Sequence, residues 1–369
     1  MRVMISGGGT GGHIFPAISI ADKLSEVNPS TEILFVGACG RMEMEKVPQA
    51  GYRIEGLPIA GLQRGLSFSA LSANLSLPFK LLSSVNRAGK IIRDFKPDVV
   101  VGVGGYASAP LLWKASGMKI PTLIQEQNGF AGLTNRLLGK RVGSICVAYE
   151  GMERFFPAEK IIFSGNPIRP QMHPYSEDEV RQGLDFYGLT RGRRHLLVVG
   201  GSLGAGTLNR AMCSWIEAGC PGGEDVEVIW QCGRFYKASV DSFMQGRDLP
   251  NIRHTDFIAR MDLAYAASDA IISRAGASSV SEICAAAKAA IFVPSPNVAE
   301  DHQTHNALSL VRKDAALMVR DADAPATLMN VAMDLVHDDD RIRLLQGNAA
   351  AMAKMDAAQT IVDQIYALV

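Results

Sequence analysis

Short apolar runs that end in glycine or small polar residues, each followed by a helical period, recur along the chain. The first, Arg2–Ser6, ends in Gly7-Gly8-Gly9-Thr10-Gly11-Gly12-His13, and a helix is expected from about Pro16 to Leu24. Ile33–Val36 reads as the next strand. Pro97–Val103 then leads into Gly104-Gly105-Tyr106, and Thr122–Ile124 into Gln125-Glu126-Gln127-Asn128-Gly129. A polar stretch, Ser176–Arg194, separates this series from a second one. It opens on His195–Val199, turns through Gly200-Gly201-Ser202-Leu203-Gly204-Ala205, and continues as helix from about Leu208. Strands are expected at Val226–Trp230, near His254–Ile258, at Ala270–Ile272 and at Ile291–Pro294. Strand alternating with helix predicts an α/β protein built from two doubly wound, Rossmann-like domains joined near Pro167–Pro170. The expected boundaries are residues 1–166, with a C-terminal helical segment from about 345 to 369 packing back, and residues 167–344.

Composition narrows the function classes. The 369 residues carry 37 basic and 37 acidic side chains, so no overall field favours nucleic acid. Six scattered cysteines without a C-x-x-C pair suggest a reducing compartment and no zinc site. No targeting segment precedes the first strand, and no run of about 18 apolar residues occurs, which predicts a cytosolic chain or one lying on a membrane surface.

The densest candidate chemistry follows Ala270–Ile272. Ser273-Arg274-Ala275-Gly276 is a small-residue turn, and Ala277, Ser278, Ser279, Val280, Ser281 and Glu282 open a helix. A helix start offers unpaired N–H groups and the positive end of the dipole, which favours a phosphate. Glu282 lies where a carboxylate can accept hydrogen bonds from ribose hydroxyls. The plainer alternative is a capped helix, with Ser278 or Ser279 as the cap and Glu282 as the capping-box partner.

Gly7, Gly9 and Gly12 satisfy G-x-G-x-x-G, which raises a dinucleotide reading. That reading expects an acid at the end of the second strand, where Gly37-Ala38-Cys39-Gly40-Arg41 stands instead; Arg41 keeps an NADP oxidoreductase open. His13, at the mouth of the turn, is a candidate for acid–base chemistry or ligand contact. Glu126 and Asn128, beyond a strand end, are candidates for touching a sugar or orienting a base, against a simple turn role.

Leu66, Phe68, Leu71, Leu75, Leu77, Phe79, Leu81 and Leu82 crowd a segment flanked by Lys80, Arg87, Lys90, Arg93 and Lys96. An apolar face with a basic flank suits an anionic membrane surface, as well as a helix with its apolar face in the core; Trp113 and Lys114 extend the same patch. Asp321-Ala322-Asp323 has the D-x-D pattern of some metal-dependent transferases, but before Ala324-Pro325 it reads as a helix N-cap. His302 and His305 lack the further ligands a metal site needs, so no metal and no cofactor is expected.

These motifs together resemble the MurG family, the N-acetylglucosaminyltransferases that complete the lipid-linked disaccharide-pentapeptide of bacterial peptidoglycan. The resemblance spans nearly the whole chain through Gly8–His13, Gly104-Gly105-Tyr106, Glu126–Gly129, Gly165-Asn166-Pro167, Gly200-Gly201-Ser202, Arg274–Glu282, Asp301-His302-Gln303 and Asn306-Ala307. It implies the GT-B fold, two Rossmann-like domains facing across a cleft. It also implies UDP-GlcNAc as donor, undecaprenyl-diphosphoryl-muramoyl-pentapeptide as acceptor, and inverting β-1,4 transfer with release of UDP. By position it assigns the donor to Thr10, Gly11, Gly12, Asn128, Arg169, Ser202, Ile258, Ala277 through Glu282, and Gln303. Ile258 would read the uracil, and Gln303 or His302 the sugar hydroxyls. His13, Tyr106 and Glu126 map to the acceptor side, with His13 the chosen base and Glu126 its competitor. Gln125 departs from the family, which often has His there. The resemblance further implies a peripheral place on the cytoplasmic face of the bacterial inner membrane, with residues 66–93 as the membrane patch and cell-wall or division proteins as partners. A nucleotide-sugar sensor without turnover is the remaining alternative.

Overall fold

Val3, Met4 and Ile5 are fully buried, as are Val99, Val100 and Val101, because strands with helices on both sheet faces have no solvent side. The computed structural model describes residues 1–59, 77–201 and 203–369. It divides into two compact units, Met1–Ile168 with Lys354–Val369, and Arg169–Ala353.

In the first unit β1 (Arg2–Gly7) is followed by α1 (Gly11–Val27), β2 (Glu32–Ala38), α2 (Glu43–Gln49) and β3 (Arg53–Leu57). Then come α3 (Leu77–Phe95), β4 (Val99–Gly104), α4 (Ser108–Gly117), β5 (Thr122–Glu126), α5 (Leu133–Leu138), β6 (Ser144–Val147) and β7 (Ile161–Phe163). All neighbouring strands pair in parallel, in the order β3-β2-β1-β4-β5-β6-β7. The chain leaves β1 toward β2 on one side and β4 on the other. Exits of strands flanking such a switch point form the crevice where open α/β sheets bind ligands. Here those exits are Gly7 and Gly104, which are register partners.

The second unit begins with α6 (Glu177–Tyr187), β8 (Arg194–Val199), α7 (Gly206–Glu217), β9 (Val226–Gln231), α8 (Lys237–Met244) and β10 (Ile252–Thr255). It continues with α9 (Met261–Ala267), β11 (Ala270–Ser273), α10 (Ala277–Ala285), β12 (Ala289–Phe292), α11 (His302–Val311), β13 (Leu317–Met318), α12 (Ala324–Val336) and α13 (Asp339–Met352). Its parallel sheet runs β10-β9-β8-β11-β12-β13, with the switch point between β8 and β11, where Val199 pairs with Ser273. Ile342 and Leu345 of α13 lie in this unit's core, so the chain returns to the first unit at Lys354 rather than near 345. There α14 (Ala357–Ala367) packs Ile361, Val362 and Ile365 into the core that holds Val3 and Ile5.

Four short strands, β3, β6, β7 and β13, carry too few residues for a clear alternation and escape the sequence reading. The strand expected near His254–Ile258 ends at Thr255, and α1 starts five residues before Pro16. Pro16 lies in the second turn, where it removes the N–H that would otherwise bond the Gly12 carbonyl. Among the described residues no helix is long and apolar enough to cross a membrane.

Candidate active site

In the second unit two strand exits and two helix starts converge. The turn from β8 to α7 passes through Gly204, whose φ of +85° and approach to β9 exclude a side chain: a Cβ there would lie 2.1 Å from the Cys232 carbonyl oxygen. Gln231 braces this turn, its Oε1 accepting from Gly200 N–H at 3.0 Å and its Nε2 donating to the Gly201 oxygen at 2.8 Å and the Asp256 oxygen at 2.9 Å. Beside it, α10 starts at an extended Gly276 with no side-chain cap. Neither Ser278 nor Ser279 caps the helix and Glu282 makes no capping box, so the plainer reading of this motif fails. Its first N–H groups remain available to an anion. The Ser278 hydroxyl is buried with no hydrogen-bond partner among the described residues.

These elements wall a cavity of about 410 Å³, lined among others by Gly200, Gly201, Arg274, Ser279, Ser295 and Gln303. That volume falls in the usual range for a small-molecule site. Gln303 accepts from Ser295 N–H at 2.9 Å, which holds the β12 exit against the start of α11. Ile258 is buried at the β10 exit and does not line the cavity, and Val280 faces the core. Ser202 lies outside the described residues.

Glu282 is nearly enclosed and is gripped by Arg169 through two parallel bonds, Nε to Oε1 and Nη2 to Oε2, both 2.8 Å. This fork geometry is the strong form of a carboxylate–guanidinium pair. Burial pulls the Arg169 guanidinium down, but its bond to Glu282 and that group's charge outweigh this and hold it above its ordinary value. The Arg169 side chain keeps 44% of its surface exposed while that of Glu282 keeps 11%, so the pair presents its cationic half.

Arg274, on the turn after β11, also lines the cavity, and its anchoring partners lie far off in sequence. Its Nη1 donates to the Val293 oxygen at 2.9 Å, the Pro294 oxygen at 3.2 Å and Asp321 Oδ1 at 2.5 Å. Asp321 also accepts from Thr207 Oγ1 at 3.0 Å. The D-x-D pattern is therefore an arginine anchor. Asp323 is the N-cap residue of α12, as expected, but its side chain makes no cap bond and pairs with Arg320 instead. Among the described residues no group of three or more His, Cys, Asp or Glu is placed to hold a metal ion.

In the first unit Thr10 is the N-cap of α1, which puts His13 in the helix's first turn rather than in the preceding loop. Its Nδ1 lies 3.2 Å from Thr10 Oγ1. The ring occupies the space left by Gly104, where a Cβ would sit 2.6 Å from His13 Cδ2 and where φ is +99°. Tyr106 is 46% exposed on the adjoining turn. Gly9, which a dinucleotide site would aim at a diphosphate, instead donates its N–H to Glu43 Oε2 at 2.9 Å. A buried carboxylate beneath the turn is the wrong sign for phosphate, and the NADP reading loses its footing.

Glu126 is 2% exposed. Oε1 accepts from Asn128 N–H at 3.1 Å and Asn128 Nδ2 at 3.3 Å, and Oε2 from Gly132 N–H at 3.0 Å and Asn135 Nδ2 at 2.9 Å. Burial raises its pKa, against the lowering effect of those bonds. Four internal donors on two oxygens anchor this carboxylate in the loop after β5. Asn128 belongs to the same clamp. Gln125 is fully buried and donates to Asn166 Oδ1 at 2.9 Å, so it serves the Gly165-Asn166-Pro167 turn.

On the same unit, α3 buries Ala88, Ile91 and Ile92 but leaves Phe79 77%, Leu81 46% and Leu82 62% exposed near its start. Trp113 on α4 is 47% exposed, with the Arg141 guanidinium 3.6 Å from its ring centroid. The part of the apolar segment between residues 60 and 76 lies outside the described residues.

Residues 3–147 match the glycosyltransferase family 28 N-terminal domain and residues 195–364 the C-terminal domain of the same family. The chain is 51% identical over 369 residues to the UDP-N-acetylglucosamine–N-acetylmuramyl-(pentapeptide) pyrophosphoryl-undecaprenol N-acetylglucosamine transferase of Parabacteroides distasonis, covering 100% of this chain and 98% of that protein. It is 50% identical, with the same coverage, to the protein of that name from Bacteroides thetaiotaomicron. A crystal structure of MurG from Acinetobacter baumannii matches with a TM-score of 0.77 at 29% identity, covering 99% of both chains. The two doubly wound units are those of a GT-B glycosyltransferase, and the chain belongs to glycosyltransferase family 28, among the UDP-N-acetylglucosamine–N-acetylmuramyl-(pentapeptide) pyrophosphoryl-undecaprenol N-acetylglucosamine transferases.

Proposed function

We infer that the protein transfers N-acetylglucosamine from UDP-GlcNAc to undecaprenyl-diphosphoryl-muramoyl-pentapeptide, a step of peptidoglycan biosynthesis that forms the β-1,4-linked disaccharide and releases UDP. The carrying observation is 51% identity along the full chain to a transferase of that name. The local chemistry supports it. The second unit has a cavity of nucleotide-sugar size, uncapped helix N–H groups at its wall and a guanidinium beside them.

In the reaction the acceptor's C4 oxygen bonds to the donor's anomeric carbon as the bond from that carbon to the diphosphate breaks. The hydroxyl proton needs a base, and the departing electron pair goes to UDP. The diphosphate lies at the start of α10, where the helix dipole and Ser279 on the cavity wall stabilise the growing charge. Glu282, held by Arg169, accepts from the ribose hydroxyls, and Gln303 meets the sugar. Ser202 and Ile258 complete the donor contacts. His13 is the base: with Nδ1–H directed to Thr10 Oγ1, Nε2 is the proton-accepting atom. Tyr106 contacts the acceptor beside it. Glu126 and Asn128 act by shaping the loop after β5.

The exposed apolar start of α3 and Trp113, with Lys80, Lys114 and Arg141 on the same helices and the turn beside them, fit attachment to an anionic membrane surface. These features support a peripheral position on the cytoplasmic face of the bacterial inner membrane, where a lipid-linked acceptor is presented.

The test is transfer of labelled GlcNAc from UDP-GlcNAc to a short-chain lipid-linked muramoyl-pentapeptide in the presence of EDTA. Formation of the disaccharide product is expected. UDP-GlcNAc binding without any product would refute the reaction, and activity lost to EDTA and restored by a divalent cation would refute a charge balance supplied by protein groups alone.

A further inference from the structure

Glu43 takes no part in the chemistry above, yet it is a carboxylate with only 1% of its surface exposed. Burying such a group is costly unless its oxygens are hydrogen-bonded. Both are: Oε2 accepts from Gly9 N–H at 2.9 Å and Oε1 from Ala38 N–H at 3.0 Å. Two glycines make room for it. A Cβ at Gly8 would lie 2.2 Å from Oε1, and one at Gly37 would lie 2.6 Å from Cγ. The side chain thus threads between the exits of β1 and β2 and clamps both backbones.

From this clamp two short paths lead to His13. Gly9 precedes Thr10, whose carbonyl accepts from His13 N–H at 3.1 Å and whose hydroxyl meets Nδ1. Gly8 N–H donates to the Gly104 oxygen at 3.3 Å, and the His13 ring lies against Gly104. A shift of Gly8 or Gly9 therefore reaches the imidazole from both sides.

We propose that Glu43 is a positioning residue for the transfer: it holds the Gly7–His13 turn so that the imidazole keeps its aim at the acceptor hydroxyl. This rests on the assignment of His13 as the base. Glu43 touches neither substrate, and the donor cavity is built without it. Its loss must therefore appear in turnover and leave nucleotide affinity alone.

Glu43→Gln is nearly isosteric, but one of its two terminal atoms becomes an N–H donor facing another N–H donor. Kinetics of the full chain with both substrates, and UDP binding by calorimetry, are measured for wild type, Glu43→Gln, His13→Ala and the double variant. Glu43→Gln is expected to lower kcat by about 10- to 100-fold, the cost of a misplacement on the order of 1 Å. UDP affinity should stay within about twofold, and the double variant should turn over at about the His13→Ala rate. A kcat within about threefold of wild type overturns the proposal, as does a Glu43→Gln loss that persists undiminished in the His13→Ala background. Wild-type turnover by His13→Ala alone would instead remove the base assignment, and is read before the cycle is formed. Should Glu43→Gln not yield folded protein, Gly8→Ala presses on the same carboxylate from the turn side. The same turnover-specific loss, masked by His13→Ala, is then expected, and its absence overturns the proposal.

Discussion

After β1 the chain turns through Gly7–Gly12 into α1, and after β8 it turns through Gly200–Ala205 into α7. On paper the two turns are alike: an apolar strand, glycines, then a helix start. Beneath the first lies Glu43, an anion that takes the Gly9 N–H. Beneath the second lies Gln231, a neutral amide that satisfies one N–H and two carbonyls at once. Arg274 adds a cation to the wall of the second unit's cavity and a second helix start opens onto it, whereas the first turn presents an imidazole. A glycine turn before a helix permits close approach of a ligand. A buried anion beneath such a turn disfavours a phosphate there by charge repulsion, and a neutral amide does not.

The sharpest division between the two turns comes from His13→Ala. It should lower kcat by about 10²- to 10⁴-fold while UDP affinity is unchanged. A matching collapse of UDP affinity, measured by calorimetry, would put the nucleotide on the first turn after all. Next in size is Gln231→Glu, which gives the second turn the charge of the first. The new carboxylate faces the Gly201 and Asp256 carbonyl oxygens, and UDP binding should weaken by about 10- to 100-fold, with about 3 kcal/mol lost from unfolding stability. Unaltered UDP binding would show that the brace's charge is irrelevant.

Gly104→Ala probes the packing of the first turn. At φ +99°, with a methyl pressed on the imidazole, it should cost about 1–3 kcal/mol in chemical denaturation. A fall in kcat larger than the fall in folded fraction is the expected signature; equal falls would mean that His13 is unmoved.

The smallest effect belongs to Glu126, a second carboxylate clamped by N–H groups at a strand exit. Burial, the largest influence, raises its pKa above 4.5 in the folded chain. Its contribution to stability is then fully present below pH 4.5 and is lost as pH rises through the raised folded value. Wild-type stability relative to Glu126→Gln should decline over that interval in denaturant titrations at stepped pH. A constant difference would mean that the folded and unfolded carboxyls titrate alike.

The family and the two doubly wound halves are legible in the sequence. Apolar runs, glycine turns and helical periods are local signals, and β1, β4, β8 and β11 fall within a residue or two of their expected places. The stretch proposed for the donor, Ser273–Glu282, is local too, because a strand, a small-residue turn and a helix start stand side by side in it. The partners that give these motifs their chemistry are a different matter. Glu43 clamps a turn 34 residues away, Arg274 anchors on Asp321 across 47, and Arg169 grips Glu282 across 113. Nothing in the period of either segment announces such a pair. It forms because parallel strand order brings non-consecutive exits side by side, and low exposure there forces each buried charge to find hydrogen bonds. The sequence alone therefore determined the family, the long strands and helices of both halves and their order. Tertiary structure decided which carboxylates are buried and clamped by N–H donors, since that depends on burial and on neighbours supplied by distant parts of the chain.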